Sequence, residues 1–99
     1  MFAKERSIEQ IVETAKIYKE NSNDVNDCLL FSWVWLPVFD PWGNLASGTN
    51  KKAIYGIVID IIDNMYLVLH TNGQELLEKQ DLILIGSSEM KELNLPDLG

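Results

Sequence analysis

The sequence predicts an α+β fold in which one N-terminal helix packs on a small, mostly antiparallel β-barrel of about five strands. Three observations carry the prediction. A helical apolar period runs through residues 4–20, the apolar run LLFSWVWL covers residues 29–36, and residues 53–86 alternate strand-like runs with tight-turn signals. Ninety-nine residues suffice for one core but not for two, so the prediction is a single domain over 1–99.

Residues 4–20 form the predicted helix. Ser7 and Gln10 have the spacing of a capping box, and Ile8, Ile11, Val12, Ala15 and Tyr18 share one face, with Ile17 opposite. Asn21-Ser22-Asn23-Asp24 is rich in turn formers and ends it. Leu29–Leu36 is predicted as a buried strand, Leu29, Phe31, Trp33 and Trp35 on one face and Leu30, Val34 and Leu36 on the other. Residues 37–52 form a long loop: Asp40-Pro41-Trp42-Gly43 suits a type I turn, and the polar stretch that follows suits solvent.

Residues 53–86 are the predicted four-strand barrel core. Ala53–Asp63 is dense in β-branched residues and apolar on both faces, which fits a strand covered on both sides. Asp63-Asn64 tolerates the left-handed backbone of a two-residue hairpin turn, and Met65–Thr71 is the return strand. Asn72-Gly73 is read as a second hairpin turn, leading to short strands over Gln74–Lys79 and Leu82–Ile85 broken at Gln80-Asp81. Residues 87–99 are a short helical turn, capped by Ser87 or Ser88, and a frayed tail containing Pro96.

Strands joined by tight turns, then a brief break and a last strand, resemble the SH3-like small barrels. Gly56, Met65 and Leu67-Val68-Leu69 are similar in spacing to the first motif of the Sm-like branch. The resemblance implies a fold and no more. Tyr66 stands where that family has its base-contacting Asn, Ile62 where it has Asp, and Ile85-Gly86 where it has Arg-Gly. RNA binding is therefore not among its implications.

The charge is −7 and unevenly placed. Residues 53–99 hold Asp60, Asp63, Glu75, Glu78, Asp81, Glu89, Glu92 and Asp97 against Lys79 and Lys91. Such a surface repels phosphate, which argues against direct nucleic-acid binding, and suits a basic partner. No apolar run reaches the roughly 18 residues of a membrane span. MFAKERSIEQ lacks the apolar core of a signal peptide, so the expected location is cytoplasmic. The single Cys28 forms no internal disulfide and is expected as a small buried hydrophobe.

The motifs of nucleotide binding, zinc proteolysis and phosphate cradling are absent. His70 is the only histidine, so neither a His-based metal site nor a catalytic triad assembles. Cys28 and His70 are linked by no spacing rule. The expectation is a protein that is not an enzyme and uses no cofactor or metal.

Three readings of function stand side by side. The first is a non-enzymatic protein-interaction module that docks an unidentified partner through its aromatic loop. Phe39, Trp42, Trp35 and Tyr66 are the contact candidates, since exposed aromatics commonly anchor interfaces. The second is an acidic inhibitor or nucleic-acid mimic that blocks a basic protein through Asp60, Asp63, Glu75, Glu78 and Asp81. The third is a homo-oligomeric barrel built by pairing of the apolar strands Leu29–Leu36 and Leu82–Ile85 at exposed edges.

Overall fold

The computed structural model describes residues 7–22, 27–37 and 54–98. Helix α1, Ile8–Asn21, begins at the capping box that the spacing predicts. Gln10 N donates to Ser7 Oγ at 3.2 Å, and Ser7 N donates to Gln10 Oε1 at 3.0 Å, so both groups at the helix start are satisfied. Ile11, Val12 and Ala15 are buried under the helix. Tyr18, expected on the same face, is 40% exposed, because the last turn of α1 runs past the core.

Five strands follow: β1 (Trp33–Leu36), β2 (Ile54–Ile62), β3 (Met65–His70), β4 (Gly73–Leu77) and β5 (Ile83–Leu84). They form one antiparallel sheet in the order β4-β3-β2-β1-β5, with a 3-10 turn over Lys79–Asp81 between β4 and β5. The fold is therefore α+β. The arrangement is consistent with a small barrel-like sheet, but among the described residues β4 and β5 are its two edges and the sheet is not closed. A second helix, α2 (Ser87–Leu93), follows β5, and among the described residues no helix is long and apolar enough to cross a membrane.

The sheet has a core on each face. Trp33, Ile57, Ile59, Leu69 and Ile85 pack with Ile11, Val12 and Ala15 of α1 and with Leu95. Leu29, Val34, Leu36, Val58, Tyr66, Val68, Leu77 and Leu82 form the core of the opposite face. This double burial explains why β2 is apolar on both sides.

Four local features depart from the sequence reading. The strand predicted over 29–36 starts only at Trp33. Asp27 Oδ1 accepts from Leu29 N at 2.8 Å, and Phe31 takes a left-handed conformation at φ 63°. That break puts Leu29 on the face of Val34 and Leu36 rather than that of Trp33. β1 also lies between β2 and β5, so it is not the exposed edge that the homo-oligomer reading requires of it.

Second, the β2–β3 register shifts between Val58 and Asp60: Val58 faces Val68, Asp60 faces Leu67, and Ile59 is the extra residue of a bulge. Ile59 stays with Ile57 in the helix-side core, while Ile61 crosses to the other face.

Third, Asp63 and Asn64 form the β2–β3 turn at φ 50° and 67°, as predicted, but the next turn is Thr71-Asn72. Gly73, at φ 143°, is already paired with His70 as the first residue of β4. Glycine serves there because it reaches a backbone conformation that other residues rarely adopt.

Fourth, the segment after α2 is docked rather than frayed. Leu95 is buried, its N–H donates to Met90 O at 2.9 Å, and Pro96 O accepts from the Trp33 indole N–H at 2.8 Å. Neither serine caps α2 through its side chain; Gly86 holds the N-cap position.

Candidate interaction surface

β1 and β2 run antiparallel with Trp35 opposite Tyr55 and Trp33 opposite Ile57. Alternation puts both tryptophans on the helix-bearing face. Tyr55 meets each ring edge-on, with centroids 5.9 Å from Trp33 and 5.5 Å from Trp35 and planes inclined at 64° and 87°. Edge-to-face contacts of this kind add about 0.5–1.5 kcal/mol beyond burial. Trp33 is buried, while Trp35 and Tyr55 keep part of their rings in solvent. The Trp35 indole N–H donates to Glu89 Oε2 of α2 at 2.9 Å, which fixes the ring.

The chain leaves this pair after Pro37 and returns at Ile54. Phe39 and Trp42 belong to that connection and lie outside the described residues. Of the four aromatic contact candidates, Trp35 is half-buried, next to the end of β1 from which the connection departs.

Tyr66 is elsewhere. It sits on β3 in the core of the opposite face, 7% exposed, and its hydroxyl donates to Asp27 Oδ2 at 2.6 Å. That bond pushes the Tyr66 hydroxyl up to about 12, with burial adding to the effect. The same bond holds the Asp27 carboxyl below its ordinary range, aided by the Leu29 N–H. With its ring in the core, Tyr66 has little surface left to offer a partner.

Asp60, Asp63, Glu75 and Glu78 are exposed and Asp81 is half-buried. Met65 pairs with Ile62, and Tyr66 with Leu77, so the β2–β3 turn and the residues after β4 lie at one end of the sheet. Asp63 and Glu78 therefore lie at that end, whereas Asp81 is on the 3-10 turn leading to β5, which starts opposite Trp35. Asp60 flanks the bulge and its Oδ1 accepts from Ile61 N at 2.8 Å; Glu78 Oε2 accepts from Gln80 Nε2 at 2.7 Å. Glu75 is separate, in the middle of β4, its Oε1 3.8 Å from His70 Nε2.

His70 is buried at the far end of β3, and its Nδ1 accepts from Asn72 N at 3.2 Å. Cys28 is exposed, contrary to the burial expected of it, and lies near Tyr66 at the other end of that strand. The two are not brought together. Among the described residues no group of three or more His, Cys, Asp or Glu side chains is arranged to hold a metal ion.

Sequence reasoning passed over Asp27 and Glu89. Asp27 had a visible signal, since an Asp two residues before Leu29 is an Asx-turn former. Glu89 had none, because its partner Trp35 is 54 residues away. Comparisons with family models, with curated proteins and with solved structures gave no match to this chain.

Proposed function

We propose that this protein is a non-enzymatic docking module that holds one partner protein through aromatic side chains around Trp35, Phe39 and Trp42. The observation that carries the reading is the Trp35–Tyr55 pair. Two half-buried rings, held edge-to-face with Trp35 pinned by Glu89, stand next to Leu36 and Ile54, between which the chain carries Phe39 and Trp42. A fixed aromatic base lowers the ordering cost of binding, and such rings are the usual anchors of interfaces. The strand order, with a 3-10 turn before β5, suits an SH3-like barrel as the scaffold. On this reading the module works in the cytoplasm.

The test is a pull-down from source lysate with the wild type and Trp42→Ala, each also melted. A partner lost in the variant at an unchanged Tm supports docking by the aromatic connection. A large drop in Tm would make Trp42 a core residue and remove the reading.

The exposure of Asp60, Asp63, Glu75 and Glu78 favours a second reading, an acidic inhibitor of a basic nucleic-acid-binding protein. Its mark would be capture of such a protein regardless of Trp42 and release by salt. Binding indifferent to salt would sink it.

A further inference from the structure

Each edge of the sheet is a row of backbone groups with no strand beside it among the described residues. β5 has two residues and offers almost no template, whereas β4 has five. The Thr71-Asn72 turn makes His70 and Gly73 the closing pair of the β3–β4 hairpin. Antiparallel alternation then assigns the N–H and C=O of Gly73, Glu75 and Leu77 to β3 and directs those of Gln74 and Leu76 outward.

Side chains along this edge alternate as well. Leu76, 45% exposed, and Gln74 stand on the helix-bearing face, while Glu75 stands on the other with its side chain 56% exposed. Glu78 follows just beyond the strand, exposed too.

We propose that the outer edge of β4 accepts an extended basic segment of a partner protein as an added strand. A Lys or Arg of that segment sits opposite Glu75, and an apolar neighbour packs on Leu76. Backbone bonds to Gln74 and Leu76 provide the attachment, and the charge at Glu75 provides the selection.

The same charge argues against a second copy as the occupant. The antiparallel register that pairs all of β4 with itself sets Glu75 against Glu75, and directly opposed like charges destabilise a strand pair. A net charge of −7 on each chain adds repulsion. Glu75 therefore guards the edge against self-pairing while favouring a positive strand. Trp35 and Tyr55 stand on β1 and β2 and not on β4, so failure at this edge would leave the docking reading standing.

The test uses the full chain, labelled with 15N, and two blocked pentapeptides, Thr-Val-Lys-Val-Thr and Thr-Val-Glu-Val-Thr. The lysine peptide should shift the Gln74 and Leu76 amides and bind roughly fivefold tighter than the glutamate peptide. N-methylation of both valines should abolish that binding, because it removes the donors that face β4. Glu75→Lys, checked for an unchanged melt, should reverse the preference, and Glu75→Thr should self-associate in sedimentation where the wild type stays monomeric. Equal affinity for the two peptides, shifts confined to another surface, no binding at millimolar peptide, or a wild-type dimer sealed through β4 would each overturn the proposal.

Discussion

The Tyr66 hydroxyl donates to Asp27 Oδ2 at 2.6 Å, joining residues 39 apart in the chain and tying the 27–32 turn to β3. Asp27 also accepts from Leu29 N, so one carboxylate shapes the turn and anchors it.

Tyr66→Phe should lower stability by about 1 kcal/mol, since it removes one partly solvated hydrogen bond to a charged group. The pH dependence has two arms. Tyr66 is raised in the folded state, from 10.0 to about 12, so its contribution is complete below pH 10 and lost as pH rises towards 12. Asp27 is lowered, so its contribution is complete above its ordinary value of 3.8 and lost as pH falls through its folded value. Melting temperatures of wild type and variant should thus converge in both windows. A gap that stays constant across the whole range would show that the hydrogen bond is not its source.

Gly56→Ala should cost about 1–3 kcal/mol or more. A β-carbon at position 56 would overlap the Leu69 carbonyl oxygen, a backbone atom, and crowd Val68. Backbone cannot swing aside as a flexible side chain does, so β2 and β3 would have to part. Urea denaturation measures the loss, and a variant as stable as wild type would contradict the close approach of these strands.

Glu89→Ala should free α2 without unfolding the sheet. Its carboxylate accepts from the Trp35 indole at 2.9 Å, and the residues after α2 pack on the helix-side core. The expected result is a stability loss of about 1–2 kcal/mol. Amide exchange should accelerate over Ser87–Leu95 while Val58 and Val68 stay protected. Uniform acceleration in both regions would mean that α2 and the sheet open as one unit.

The capping box was legible because it is written within four consecutive positions, Ser7 to Gln10, whereas the predicted bound at residue 4 differs from the observed start at Ile8. The β2–β3 turn was legible for a similar reason: Asp63 and Asn64 are among the few residue types that accept the left-handed backbone there. The Thr71-Asn72 turn was misread by one position, since a glycine at φ 143° begins β4 as readily as it would finish a turn. At the candidate site, Trp35 and Tyr66 were both chosen as contact candidates from apolar strands, and only the structure separates the half-buried Trp35 from the buried Tyr66. An aromatic residue in a strand carries no mark of which face is covered until the covering segment is known.

By itself the sequence determined the helix, most of the strands, the first hairpin and the acidic character of the C-terminal half. Each rests on contacts within a few residues or on composition. The tertiary structure alone decided the break at Phe31, whose N–H donates to Val58 O at 2.7 Å, and the bulge at Ile59. It also decided the docking of Pro96 on Trp33, 63 residues apart, and the burial of Tyr66 over Asp27. A two-residue period has the same appearance on either side of a one-residue slip. Which face each residue takes is thus settled only when distant strands and turns find their hydrogen-bond partners.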